Sequence, residues 1–158
     1  MKKAFLALVV GTSLALVGCS DDPKKKTDEA NQHMGVAMDL ANQGISEANK
    51  AYADEFTKGI VESDKSKWSD EELQGLKKRF LSAKGKLLMS HSYFEKALDL
   101  AKDNKDSKSA KDSWINNMYK IKEAISDIDK ELKVIEAAIS AKQQSQQSVK
   151  IRGRSRTA

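Results

Sequence analysis

The 158-residue sequence contains one cysteine and one proline, eight glycines, and only 6% aromatic residues. A lone cysteine excludes an intramolecular disulfide and any zinc site built on paired cysteines. So few turn-forming residues argue against a sandwich or barrel of many short strands, which needs tight turns at short intervals. Two histidines leave almost nothing that titrates near neutrality. What is plentiful is charge, at 32% of residues, alongside 39% hydrophobic residues. That balance suits one modest helical domain and is too small for two.

Only one stretch is continuously apolar. Lys2 and Lys3 precede a run from Ala4 to Val17, interrupted by Gly11, Thr12 and Ser13. The run is shorter than the about 20 apolar residues that span a bilayer, and its layout is that of a secretory signal. It ends Leu16, Val17, Gly18, Cys19, which resembles the lipobox of bacterial lipoproteins. The resemblance implies a signal peptide over 1–18, cleavage between Gly18 and Cys19, and a Cys19 that carries a diacylglyceryl thioether and an N-acyl group. Two or three acyl chains, at about 0.8 kcal/mol per buried methylene, hold a protein stably in membrane lipid. In enterobacterial lipoproteins an Asp directly after the cysteine favours inner-membrane retention. Ser20 stands there, so the resemblance favours the periplasmic face of the outer membrane, while Asp21 and Asp22 close behind keep the inner membrane open.

Net charge is unevenly distributed. The formal +5 falls to +3 without Lys2 and Lys3, and Lys150, Arg152, Arg154 and Arg156 supply four more positive charges. The body from Cys19 to Val149 then carries 22 basic against 23 acidic groups, a net −1. Basicity confined to a tail does not form the basic face of a nucleic-acid-binding domain. The tail over 149–158 reads either as a disordered end or as a contact for acidic head groups or an acidic partner.

Residues 19–27, with Pro23 and the run Lys24, Lys25, Lys26, read as a solvated lipidated tether. Three helical stretches follow within 28–148. The first, about 28–62, places Ala30, Met34, Ala37, Ala41, Ile45, Ala48, Tyr52, Phe56 and Ile60 on one face. Its alanines make a shallow stripe, and Gly35, Gly44 and Gly59 weaken it. The second, about 70–102, opens with a capping box, Ser69 to Glu72, and continues Leu73, Leu76, Phe80, Ala83, Leu87, Ser90, Phe94, Ala97, Ala101, with Ser90 the weak point of the seam. The third, about 110–142, has a capping signal from Ser109 to Asp112. Its seam of Trp114, Met118, Ile121, Ile125, Ile128, Leu132, Ile135 and Ile139 is strictly spaced. Past Ala141 the seam dissolves into Gln143, Gln144, Ser145, Gln146, Gln147, Ser148. Short linkers make neighbouring helices antiparallel. The expected fold is all-α, an elongated antiparallel three-helix bundle of coiled-coil character. A hairpin that completes its core by dimerising fits the same spacings.

Catalysis needs converging groups, and none converge here. His33 and His91 lie on different helices; His91 abuts the seam, where it reads as a boundary residue or as meeting a carboxylate across the bundle. Asp54 with Glu55, Glu71 with Glu72, and Asp127 with Asp129 are pairs that do not share a helix face. No phosphate loop, zinc pair or calcium loop occurs. The reading is therefore a non-enzyme, with no cofactor or metal beyond the covalent lipid on Cys19. Trp68, flanked by Lys65 and Lys67, reads either as a staple onto the second helix or as an exposed contact with its lysines. Lys65, Lys67, Trp68, Arg152, Arg154 and Arg156 are the candidate partner contacts, and Trp114 is expected to plug one end of the core.

A lipobox followed by a helical body of this length, with Glu55, Phe56, Thr57, Lys58, Gly59 and then Lys67, Trp68, Ser69, Asp70, Glu71, Glu72, Leu73, resembles the entry-exclusion lipoproteins of small mobilisable plasmids. That resemblance implies an envelope protein that makes its host a poor recipient for a related plasmid, and it transfers no functional residue. An assembly or chaperone lipoprotein and an inhibitor or immunity lipoprotein are the competing readings. In each, membrane lipid is met through Cys19, the partner is an envelope protein rather than nucleic acid, and self-association stays open.

Overall fold

The computed structural model describes residues 21–61, 64–104 and 108–154. It is a three-helix bundle of α1 (Asp21–Val61), α2 (Asp70–Leu100) and α3 (Lys108–Arg154), with a single 3₁₀ turn (Lys65–Lys67) between α1 and α2. At 1.5 Å per residue the helices are about 60, 45 and 70 Å long. Two of them exceed the expected lengths. α1 begins seven residues early, because Pro23 falls in its first turn, where the missing N–H forfeits no helical hydrogen bond. The stretch read as a tether is helical from Asp21 onward, and Thr27 is buried. α3 runs on to Arg154, although residues 143–148 are all exposed. Packing ends near Lys142, as the fading seam predicts, but the helix does not.

The three interfaces are unequal. The backbones of α1 and α2 approach closely along their length, those of α2 and α3 less so, and those of α1 and α3 only sporadically. The residues explain this. α1 contributes the small residues Ala30, Ala37, Ala41, Ala48 and Ala51 to the core and sets Gly44 against Ala83 and Leu87 of α2, whereas α3 brings in Trp114, Ile121, Ile128 and Ile135. Small side chains let backbones meet; large ones hold α3 off. All nine residues of the expected α2 seam are buried, Ser90 included. On α1 the expected seam holds from Ala30 to Tyr52 and departs at Phe56, while the Ile60 side chain lies outside the described residues. Phe56 is 56% exposed, and its neighbour Glu55 turns inward instead.

The caps divide similarly. Ser69 and Glu72 form the expected capping box, with Ser69 N donating to Glu72 Oε2 (2.7 Å) and Glu72 N to Ser69 Oγ (3.1 Å). Ser109 is not the cap of α3, since the helix already includes it. The α2 C-terminus is closed from outside: Lys111 Nζ donates to the carbonyl of Asn104 (2.8 Å) and to those of Ala101 and Lys102 (3.4 Å each). A cation there satisfies carbonyls that have no helical partner.

Chain direction gives the bundle two distinct poles. The start of α1, the end of α2 and the start of α3 share the near pole. The end of α1, the 3₁₀ turn and the start of α2 share the far pole, and α3 passes through it and beyond.

Candidate functional site

The far pole gathers most of the chemistry in the described residues. Asp64 starts the 3₁₀ turn: its carboxylate accepts from Ser66 N (2.9 Å), and its carbonyl accepts from Lys67 N (3.1 Å). The Ser66 hydrogen bonds hold the Asp64 carboxyl below the usual carboxylate range. This turn aims Lys65 inward, where its ammonium pairs with Glu55 of α1 and lies 3.3 Å from Glu131 Oε2 of α3. The Glu55 side chain is 1% exposed. One lysine thus ties two carboxylates from two helices, and the inward turn of Glu55 follows from that pairing. A charge buried so deeply must be paired to persist.

Trp68 is 3% exposed, so the exposed contact drawn from its lysine neighbours is corrected. It stands one residue before the Ser69 cap, in the position of a hydrophobic staple, and joins Leu73 in the core. Lys142 of α3 donates to the Trp68 carbonyl and stands 3.2 Å from Asp70 Oδ1, locking the turn to the last packed turn of α3. Trp68 and Glu55 form the floor between two shallow grooves. One, about 400 Å³, is bordered by Gly59, Asp64, Val134 and Ala138. The other, about 450 Å³, is bordered by Lys58, Glu71, Glu72 and Arg79. Lys58 pairs with Glu72 at 3.0 Å, and Arg79 pairs with Asp54. The capping hydrogen bond from Ser69 N, with Lys58 beside it, keeps the Glu72 carboxyl below its usual range.

The other candidates separate. Lys65 is committed to the buried cluster rather than to a partner, while Lys67 is exposed. Arg152 and Arg154 fall in the last turn of α3, their side chains outside the described residues; Gly18, Cys19 and Arg156 also lie outside them. His91 Nδ1 faces Glu95 of its own helix at 3.6 Å, not a carboxylate across the bundle. His33 is half-buried, its ring 5.6 Å from that of Tyr93. Trp114 is buried in the core at the near pole.

Two features escaped the sequence. The Glu55–Lys65–Glu131 cluster joins residues up to 76 positions apart, and no local pattern announces it. Asn117 is buried between Trp114 and Ile121 on the α3 core face, where a period-seven search through the neighbouring isoleucines passes over it. Among the described residues no three His, Cys, Asp or Glu side chains gather as a metal cage, and no helix is long and apolar enough to cross a membrane. No family model, no curated protein and no solved structure matches the chain.

Proposed function

We propose that the chain is a lipid-anchored envelope protein whose role is recognition rather than catalysis, and most narrowly plasmid entry exclusion. The observation that supports this best is the polarity of the bundle. α1 begins at Asp21, two residues after the lipobox cysteine, at one pole, and α3 continues past the packed core at the other. A lipid on Cys19 would hold the near pole against a membrane and leave the far pole to meet what approaches. Lys150, Arg152 and Arg154 of α3 then stand about 60–70 Å along the helix from the anchored pole. That distance favours a partner other than the anchoring membrane for them. The Glu55–Lys65–Glu131 cluster and the Lys142 clasp stiffen the far pole, which suits a preformed recognition surface.

The test compares plasmid entry into otherwise identical recipients that express the wild-type chain, Cys19→Ala or nothing, with labelled palmitate followed in parallel. Lower entry with the wild-type chain alone, together with label on it, supports anchored exclusion. Equal entry into all three recipients removes exclusion, and failure to incorporate palmitate at normal expression removes the anchor.

A further inference from the structure

α2 carries a second seam on its solvent face. Gln74, Lys78, Leu81, Gly85, Leu88, Ser92, Glu95 and Asp99 alternate in steps of four and three, the spacing of a helix-pairing stripe, and all eight are exposed. Leu81 and Leu88 are 48% and 50% exposed, and Met89 beside them 54%. The charges flanking the middle of this stripe turn away from it. Lys84 reaches Asp129 of α3 (2.7 Å), Lys77 reaches Glu136 (2.8 Å), and Lys86 pairs with Glu47 of α1. An uncharged apolar strip from Leu81 to Ser92 is left bare, with Lys78 at one end and Glu95 at the other.

We infer that this face of α2 is a dimer interface that binds the same face of a second copy in antiparallel register. Charge complementarity decides the occupant and its direction. A two-fold axis between Gly85 and Leu88 places Lys78 opposite the second copy's Glu95, Leu81 opposite Ser92, and Gln74 opposite Asp99, each pair occurring twice because the contact is isologous. Leu88 enters the space above the second copy's Gly85, where an added Cβ would meet nothing within 4 Å in the single chain. A parallel pair instead stacks Lys78 on Lys78, Glu95 on Glu95 and Asp99 on Asp99, and like charges in register oppose pairing. The seam is about 38 Å long, a substantial helix-to-helix contact. Antiparallel pairing sets the two α1 N-termini at opposite ends, so lipid-bearing copies would pair across facing surfaces rather than within one. The interface itself does not depend on the lipid.

Sedimentation equilibrium of the full chain in a density-matched non-ionic detergent tests this, with circular dichroism as the control for folding. The wild-type chain is expected to reach the mass of two copies as loading rises. Leu88→Asp and Lys78→Glu, both at exposed positions, should each weaken pairing by about tenfold or more. The double reversal Lys78→Glu with Glu95→Lys should restore it, because both cross-pairs are re-formed; in a parallel dimer it restores nothing. A monomer at every loading, a dimer indifferent to Leu88→Asp, or a double reversal that stays monomeric would each overturn the inference.

Discussion

The Ser90 hydroxyl of α2 donates a 2.6 Å hydrogen bond to the main-chain carbonyl of Ala37 on α1, and both residues are fully buried. A hydroxyl this short reaches a neighbouring backbone only where two helices nearly touch. The position that looks like a flaw in the apolar seam is therefore a fastening between α1 and α2. Ser90→Ala is expected to cost about 1 kcal/mol, the usual net worth of one such bond. Ser90→Leu, which restores the apolar pattern, should cost more, about 1–3 kcal/mol, because the added side chain must push the helices apart. Urea unfolding of the two variants checks the order.

Gly44 provides the second test of the same contact. A Cβ there would stand 2.9 Å from Leu87 Cγ and 3.0 Å from the Ala83 carbonyl oxygen, and the backbone atom cannot step aside. Helix propensity alone makes Gly→Ala favourable by about 1 kcal/mol. Overpacking opposes it by about 1–3 kcal/mol, so Gly44→Ala should be a net loss. Gly35→Ala and Gly75→Ala, each with nothing within 4 Å of the added atom, should be neutral or stabilising. Equal thermal midpoints for all three variants would show that α1 and α2 are not in close contact at Gly44.

These two residues mark where sequence reading succeeded and where it stopped. Periodicity located the α2 seam without error and most of α3, because large apolar residues at fixed spacing have few other uses. The Ser69 cap was legible because its chemistry is local. The alanines and Gly44 of α1 read as weakness, since a pattern search scores side-chain size and cannot see that small residues permit close approach. For Trp68 the staple reading holds and the exposed contact does not; for Lys65 a polar linker suggests exposure, whereas the side chain is drawn inward by Glu55 and Glu131, which belong to other helices. The continuation of α3 past Ala141 carries no apolar pattern, because a helix can persist by extending one already formed, without a packing face of its own.

The buried cluster predicts a strong and asymmetric mutational response. Lys65→Met leaves Glu55 without its ammonium in a site where the carboxylate side chain is 1% exposed. Breaking such a pair from one side typically costs about 3–5 kcal/mol, while replacing both partners by apolar groups costs far less. The double variant Lys65→Met with Glu55→Met should therefore be markedly more stable than Lys65→Met alone. Additive losses in a double-mutant cycle would show that the two charges do not support each other.

Ile128 tests the α3 seam. It is fully buried among residues of the core cluster, and Ile128→Asp would place an unpaired charge there at a cost of several kcal/mol. Tyr119, nine positions earlier and 64% exposed, is its control; Tyr119→Asp should change stability by no more than about 0.5 kcal/mol. An unchanged melting temperature for Ile128→Asp would remove α3 from the core.

Tyr52 gives the bundle an alkaline limit. Its ring packs edge-on against Phe80, with centroids 4.9 Å apart. Burial pushes its phenol well above the ordinary value of 10.0, with the carboxylates of Glu131, Asp127 and Glu55 acting in the same direction. In the unfolded chain the phenol ionises once pH passes that ordinary value, while the folded chain retains the proton. The native state then binds more protons than the unfolded state, so stability must fall as pH rises through this window. Tyr52→Phe keeps the ring contact and removes the proton, so its urea midpoint should decline less steeply than the wild-type midpoint above that pH and track it below. Parallel declines for the two proteins would assign the alkaline loss to another group.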